Sequence, residues 1–283
     1  MTTPRIPAAP NSIQKGTPLK DLLGQEAAEC LARNISLVYT EFDGDSFCKH
    51  TLDGIEPLGI VERGQKFAKM LHQFLPEKYE AAIDILLASL TPPLSNTEDN
   101  GLEVFFYLPH VSFVAEYGLD VGNNNGRDPF EVSMKAQYEL TKRFSSEFSI
   151  RPFLIQAQER TLARLLEWVS DPDPHVRRLC SEGTRPRLPW AKRIPSFVAN
   201  PSPVLPILEK LKDDQSLYVR RSVANHLGDI AKDHPDLVLE ICTRWLVDSS
   251  NDIKWLIRHA LRHPAKKGDK VALKIRTAAK ARK

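Results

Sequence analysis

Apolar residues recur at helical spacing along most of this chain. In the first half they return every three to four residues over 19–35, 64–75, 78–90 and 130–148, which is the pattern of amphipathic helices. Prolines interrupt the pattern after the second and third of these segments, where they stop a helix. Alternating patterns typical of β-strands are scarce. The sequence therefore predicts an all-α fold.

The second half repeats one layout three times: an apolar helix, an Asp-rich turn and a second helix. The segments are TLARLLEWVSDPDPHVRRLCSEG, VLPILEKLKDDQSLYVRRSVANHLGDIA and LVLEICTRWLVDSSNDIKWLIRHALR. Val176, Val219 and Ile253 take the same place in the three second helices, 43 and then 34 residues apart. This is the period of two-helix solenoid repeats, so we predict an α-α superhelix.

The repeat register places functional residue types on one face of the second helices. Two rows, four residues apart, consist of Arg178, Arg221 and Trp255, and of Glu182, Asn225 and His259. Asp229 continues the middle repeat by one turn. Second helices of stacked pairs commonly line a concave surface. Taken alone, Arg178 and Glu182 are a helix-surface pair that contributes a few tenths of a kcal/mol, roughly. The register shared by three repeats favours a functional face.

Charge is divided unevenly along the chain. Residues 1–150 carry 13 lysines and arginines against 21 acids, whereas residues 151–283 carry 26 against 15. A basic half indicates a polyanion partner, although solvated surface charge is the simpler alternative. We predict a disordered leader over 1–17, an N-terminal helical part over 18–150, a repeat part with the active site over 151–265, and a basic C-terminal tail over 266–283, all within one continuous superhelical domain.

Cysteine spacing and hydropathy indicate the cellular compartment. The four cysteines are scattered, with no CxxC pair, which favours a reducing compartment without structural zinc. No apolar run is long enough to span a bilayer, and the polar, Pro-rich N-terminus is no secretory signal. We expect a cytoplasmic protein that does not bind membranes, and a monomer, as solenoids of this kind often are.

The residue types that suit binding and reaction of a nucleic acid are concentrated in the segment 171–192. It holds four arginines, Glu182 and Trp190. Arginines at this density predict phosphate contacts that give affinity without sequence readout. A carboxylate facing phosphates is repelled by them, but it becomes useful when a breaking glycosidic bond gives the sugar oxocarbenium character. Trp190 is either a cation–π contact for a charged base or a core tryptophan. The candidate DNA contacts are Arg177, Arg178, Arg185, Arg187, Lys192, Arg220, Arg221, Lys254 and Arg258.

Several motifs carry a family resemblance over about residues 55–265. TKRFSSEFSIRPFL, HVRRLCSEGTRPRLPWA and VRRSVANHLGDIAKDHP closely resemble the AlkC branch of the AlkC/AlkD superfamily of bacterial DNA alkylation-repair glycosylases. The resemblance implies HEAT-like repeats with a concave, basic DNA-binding face. It also implies excision of cationic N3-alkylated bases, 3-methyladenine and 3-methylcytosine, from double-stranded DNA in base excision repair, without a cofactor or metal.

The same resemblance implies roles for individual residues. Glu182 and Asp229 would stabilise the sugar cation and position a water, with Glu147 assisting. Trp190 would contact the lesion nucleotide, and Arg178 would hold a flanking phosphate or the carboxylates. The sequence departs from the family pattern at Gly228, where relatives often carry a polar residue. A glycine inside a helix costs about 1 kcal/mol relative to alanine.

Two other functions compete with a monofunctional glycosylase. Solenoids are often scaffolds, so the chain could bind nucleic acid or protein without catalysis. A metal-dependent nuclease is the third possibility, but the acidic residues lack the compact spacing of a metal-ligand cluster. The sequence does not rank the two methylated bases or bulkier adducts. We therefore expect a glycosylase and keep a DNA-binding scaffold as the alternative.

Overall fold

A computed structural model describes residues 3–98 and 101–280, and in these ranges all regular secondary structure is helical. The chain forms two compact units, the first ending at Ile150 and the second beginning at Arg151. The predicted all-α, helical-repeat class is confirmed. A concave basic face stays a prediction. No helix in the described part has the length and apolar character needed to cross a membrane.

Sixteen α-helices and four short 3-10 helices lie in the described residues. The α-helices are α1 Gln25–Ser36, α2 Gly44–Leu52, α3 Ile60–Phe74, α4 Tyr79–Ala88, α5 Leu108–Tyr117, α6 Phe130–Thr141, α7 Ile150–Gln156, α8 Gln158–Trp168, α9 Pro174–Glu182, α10 Pro195–Ala199, α11 Leu205–Leu211, α12 Leu217–Ile230, α13 Pro235–Leu246, α14 Asn251–Ala260, α15 Arg262–Lys266 and α16 Lys270–Ala278. The 3-10 helices are Leu19–Leu23, Glu103–Tyr107, Val121–Asn124 and Ser202–Val204.

The first unit is built around the packing of α3 against α5 and of α1 against α2. Phe67 and Val111 are fully buried in its core. Gly64 allows the close approach of α3 to α5, because a Cβ atom there would lie 2.8 Å from Leu108 Cγ. The helix predicted over 130–148 ends early, at Thr141. Ser146 is one reason, since its hydroxyl donates to the backbone carbonyl of Gln137 and closes the end of α6.

The segment predicted to be a disordered leader makes specific contacts. The Arg5 amide donates to the side-chain oxygen of Asn34, and the Asn34 amide donates back to the Arg5 carbonyl at 2.7 Å. Further along, the Leu102 amide donates to the Pro10 carbonyl at 2.9 Å. These hydrogen bonds hold the segment on the first unit in place of a free leader. Residues 1 and 2 lie outside the described residues.

The second unit contains the three repeats as helix pairs α8–α9, α11–α12 and α13–α14. Helix α12 packs between α9 and α14, so the second helices form one continuous row. Val176 and Val219 are fully buried and Ile253 nearly so, as expected for residues that share one register. Asp173 and Ser250 cap the starts of α9 and α14 by accepting backbone N–H groups.

The predicted basic tail contains a helix. Asp269 accepts the Ala272 amide and starts α16, and Ala272 and Ile275 are buried where α16 packs on α13. Lysines on the other positions of α16 keep this part basic. Residues 281–283 of the predicted tail lie outside the described residues.

Candidate functional site

Two predicted acids, Glu182 and Asp229, meet inside the second unit. Glu182 is the last residue of α9, and Asp229 lies near the end of the neighbouring helix α12. Their exposed fractions are 5% and 3%. Burying two carboxylates costs several kcal/mol per ion, roughly, unless each is paired. The structure therefore has to supply cationic or hydrogen-bonding partners at this point.

Arg185 supplies the partner that the two acids share. Its Nη1 donates to Glu182 Oε1 at 2.6 Å, and its Nε donates to Asp229 Oδ2 at 2.7 Å. The planar guanidinium suits this role because its donors point in fixed, diverging directions. One cation thus links the end of α9 to α12. We call Glu182, Asp229 and Arg185 the acid–arginine cluster.

The remaining oxygen of each acid has its own partner. The Ser222 hydroxyl donates to Glu182 Oε2 at 2.6 Å, and Lys232 Nζ donates to Asp229 Oδ1 at 2.8 Å. Arg178 adds a longer ion pair, with Nη2 3.5 Å from Glu182 Oε1, and its guanidinium lies over the Tyr218 ring. Glu182 is therefore held from α9, α12 and the loop after α9, and Asp229 is held from that loop and from the turn after α12.

These partners keep Glu182 ionised. Burial raises the pKa of Glu182, but the positive charges of Arg178 and Arg185 and the Ser222 hydroxyl outweigh burial and hold that pKa below its ordinary value. For Arg185, burial lowers the pKa, and the two neighbouring carboxylates raise it above its ordinary value. The cluster thus contains a fixed negative charge at Glu182 and a fixed positive charge between the acids.

Trp190 stands in the loop of residues 183–192 that follows α9, here called the Trp190 loop. Its exposed fraction is 66%, which excludes the core position that the sequence left open. Its backbone φ is +62°, in the left-handed region where a residue with a Cβ atom is uncommon. Pro189 precedes it, and Leu188 is buried. The loop therefore presents an indole ring to solvent next to the end of α9.

Glu147, the third predicted acid, belongs to the first unit. The Ser145 hydroxyl donates to Glu147 Oε2 at 2.8 Å. An assisting role for Glu147 stays a prediction. Among the residues that the structure describes, no group of three or more His, Cys, Asp or Glu side chains could hold a metal ion.

Comparison with known proteins identifies the family. No family model matches the chain. The chain is 40% identical over 258 residues to the uncharacterized protein YhaZ of Bacillus subtilis (strain 168). This aligned region covers 91% of the present chain and 67% of YhaZ. The solved structure of the Pseudomonas fluorescens alkylpurine DNA glycosylase AlkC, bound to DNA containing an abasic site analog, is 38% identical with a TM-score of 0.81. That match covers 94% of this chain and 69% of the other.

The chain belongs to the AlkC family. The resemblance inferred from the sequence motifs is therefore confirmed.

Three arginines that were predicted to contact DNA are buried and form ion pairs within the protein. Arg177 is buried and pairs with Asp214 at 2.6 Å, and it also donates to two turn carbonyls. Arg220 is equally buried, donates to the Asp214 carbonyl and pairs with Asp252 at 2.9 Å. Arg185 is held within the acid–arginine cluster. These contacts have a physical reason, since the adjacent turns need cations to neutralise their acids, and a DNA contact by these three residues stays a prediction.

The other predicted basic residues of this AlkC-family chain differ in accessibility. Arg187 forms a two-armed pair with Asp233 at 2.7–2.8 Å and is half-buried. Arg258 donates to the Ala279 carbonyl at the end of α16. Lys192 and Arg221 are exposed, and Lys254 is half-buried. Lys192, Arg221 and Lys254 remain the predicted phosphate contacts that their surroundings leave most accessible.

Sequence reasoning named Arg178 as a possible partner of the carboxylates but missed Arg185, Ser222 and Lys232. Arg185 and Arg262 each lie nine residues after a repeat anchor, Val176 or Ile253. Arg262, in the third repeat, donates to the Asn225 side-chain oxygen in the second repeat at 3.0 Å, whereas Arg185 reaches Glu182 within its own repeat. Superposing the repeats one turn further finds these two arginines but not their partners, because the equivalent of Glu182 in the third repeat is His259. Ser222 carries no comparable sequence signal.

Proposed function

We propose that this protein is a DNA glycosylase that removes cationic N3-alkylated bases from double-stranded DNA. Two facts support the proposal: the similarity to AlkC, which is an alkylpurine DNA glycosylase, and the acid–arginine cluster. The observation that carries it is the pair of hydrogen bonds from Arg185 to Glu182 and to Asp229, at 2.6 and 2.7 Å. These bonds fix two acids at one place beside a loop with an exposed tryptophan.

The proposed reaction needs no cofactor. The bond between C1′ of the sugar and the base nitrogen breaks, and both electrons leave with the base, so a cationic alkylated base departs neutral. C1′ gains positive charge as the bond breaks. Water then forms the new bond to C1′ and releases a proton, and the abasic sugar remains. Nearby carboxylate charges stabilise the positively charged transition state, and one of them orients the water.

Glu182 and Asp229 supply those charges. Each oxygen of the two acids accepts a hydrogen bond from a fixed donor, so the carboxylates need little reorganisation when positive charge develops. Preorganised electrostatics of this kind commonly contributes more to enzymatic rate enhancement than any other single effect. Because the pKa of Glu182 lies below its ordinary value, this acid acts as a charge and not as a proton donor at neutral pH.

Trp190 supplies the contact to the lesion nucleotide. Its indole is 66% exposed, so its face is accessible to a nucleotide. An aromatic face attracts a cation by about 1–2 kcal/mol when water is excluded. Such contact favours an alkylated, cationic base over a neutral one. We propose 3-methyladenine and 3-methylcytosine as substrates because both are cationic bases of this kind and the resemblance to the AlkC branch implies them.

The proposed enzyme cleaves only the glycosidic bond. A bifunctional glycosylase attacks C1′ with a neutral amine. Lys232 is the lysine that contacts the acid–arginine cluster, and its ammonium group is paired with Asp229 at 2.8 Å. A protonated amine has no free electron pair and is no nucleophile. We therefore propose that the DNA strand stays intact after base release.

Chromatography of the bases released from methylated duplex DNA tests the proposal. The protein is incubated with the duplex in the presence of EDTA, with an unmethylated duplex as the control. We expect free 3-methyladenine or 3-methylcytosine from the methylated duplex alone, without strand cleavage. The alternative, a non-catalytic DNA-binding scaffold, predicts salt-sensitive duplex binding and no free base. That result would refute the glycosylase.

A further inference from the structure

Arg151 is a buried arginine whose guanidinium binds the Trp190 loop from inside the second unit. It lies in the first turn of α7 and is 1% exposed. Its Nη1 donates to the carbonyls of Gly183 and Arg185, at 3.2 and 2.8 Å. Its Nε donates to the Lys192 carbonyl at 2.5 Å, and its Nη2 lies 3.4 Å from the Pro186 carbonyl. One side chain thus contacts both ends of the loop.

The position of these carbonyls explains why a cation binds there. The Gly183 carbonyl lies directly after α9, at the helix end where partial negative charge accumulates, and the carbonyls of Arg185, Pro186 and Lys192 lie in the loop, outside any helix that could pair them. The planar fork of arginine can satisfy several of them at once. By joining Gly183 to Lys192, Arg151 closes the base of the loop and fixes the distance between its two ends.

The tip of the loop needs this support. Trp190 has a φ of +62°, a conformation that costs roughly 1–3 kcal/mol for a residue other than glycine and persists only where the surroundings hold it. Leu188 and Ile194 are buried, and the Ile194 amide donates to the Pro186 carbonyl at 3.2 Å. The two buried side chains and the hydrogen bonds of Arg151 together hold the loop backbone in a single conformation.

We propose that Arg151 is a positioning residue for base release, since it holds Trp190 and Arg185 in the geometry that the reaction needs. The inference rests on the proposed function. Arg151 acts through the loop: Arg185 stands on the same loop and binds both acids, while Trp190 faces solvent at its tip. The RPF motif that follows the SSEF motif thus gains a role in the site.

Single-turnover kinetics on a methylated duplex tests the proposal with the variant Arg151→Lys. Lysine keeps the charge but cannot span both ends of the loop. We expect the rate of base release to fall at least about tenfold while the Kd for the duplex changes less than about twofold. Arg164→Lys, in a surface pair with Glu167, is the matched control and should release base at the wild-type rate.

A double variant separates positioning from a merely structural role. Because Arg151 acts in part through Trp190, Arg151→Lys should lower the rate by a smaller factor in a Trp190→Ala background than in the wild-type background. An equal loss in both backgrounds, or no loss in the wild-type background, would overturn the proposal. All rates are measured well below the melting temperature of each variant.

Trypsin cleavage without DNA measures whether Arg151 holds the Trp190 loop, and this result does not depend on glycosylase activity. The loop contains cleavable bonds after Arg187 and Lys192. We expect the folded wild type to resist cleavage there and Arg151→Lys to be cleaved at least about tenfold faster. Rapid cleavage of the wild type, or equal rates, contradicts a loop held by Arg151. If the wild type releases no base, the glycosylase fails, and the cleavage rates still decide whether Arg151 holds the loop.

Discussion

The Nε of Arg185 lies 2.7 Å from Oδ2 of Asp229 and joins the Trp190 loop to helix α12. The same guanidinium holds Glu182. From the sequence alone, the one reason for placing acidic residues on a DNA-binding surface is that the bound nucleotide becomes cationic during the proposed reaction. The structure adds a second reason, since both carboxylates are already paired in the DNA-free protein. Pairing keeps the charges in place in the free protein, ready for the proposed reaction.

Removing Arg185 should destabilise the second unit strongly. Arg185→Met leaves two buried carboxylates without their shared cation, and breaking a buried pair in this way costs about 3–5 kcal/mol. Arg187→Met is the matched control, because Arg187 and Asp233 form a more exposed pair whose loss should change stability much less. Urea unfolding of both variants measures the difference. Equal losses would show that the acids do not depend on Arg185.

Acidification should destabilise the protein through buried His226. Burial lowers the pKa of His226 from 6.5 to about 3. Between those values the unfolded chain binds one more proton than the folded chain. The free energy of unfolding therefore falls as pH drops from 6.5, by about 1.4 kcal/mol per pH unit for one histidine. Glu182 has a lowered pKa, so its contribution is lost only below about pH 4.5.

The variant His226→Gln isolates that effect. Unfolding free energies at pH 6.0 and 5.0 should differ by up to about 1.4 kcal/mol less in the variant than in the wild type. His110, whose pKa burial also lowers to about 3, remains in both proteins and supplies a residual slope. An unchanged slope in the variant would mean that His226 is protonated in the folded state.

Gly228→Ala should stabilise the protein. A Cβ atom at Gly228 would lie 3.5 Å from the Ala260 carbonyl oxygen, an ordinary contact, so the gain in helix propensity of about 0.5–1 kcal/mol is kept. Gly64→Ala is the contrasting variant, since its Cβ would come within 2.8 Å of Leu108 and crowding costs about 1–3 kcal/mol. Thermal unfolding should move in opposite directions for the two variants.

The basic residues should separate into two groups by salt dependence. Lys192→Ala and Arg221→Ala remove exposed cations, so each should weaken duplex binding and reduce the slope of log K against log salt by about 1. Arg177→Ala removes a buried partner of Asp214 and should lower stability instead. Binding titrations between 50 and 200 mM salt resolve a change of about one phosphate contact and so test which residues contact DNA. A reduced slope for Arg177→Ala would show that Arg177 contacts a phosphate.

Much of the fold was predictable from the sequence because it depends on local periodicity. The spacing of Val176, Val219 and Ile253 predicted stacked helix pairs, and all three anchors are buried. The same register placed Glu182 and Asp229 on neighbouring second helices. Because α9 and α12 are the second helices of adjacent repeats and pack together, the repeat arrangement brings the two carboxylates close to each other.

The roles of individual arginines could not be predicted, because they depend on contacts distant in sequence. Arg177 and Arg178 are adjacent, yet Arg177 is buried against Asp214, 37 residues away, while Arg178 lies over Tyr218. Sequence composition assigns both to DNA. The exposure of Trp190 was equally undetermined, since its φ of +62° arises from the closure of the loop.

The rate of base release by Glu182→Gln tests the central claim most directly. The substitution keeps the size of the side chain and removes its charge. In single-turnover reactions on a duplex with one methylated base, we predict at least an about 100-fold slower release than for the wild type, with an unchanged Kd for the duplex. Release at the wild-type rate would contradict a transition state stabilised by this carboxylate.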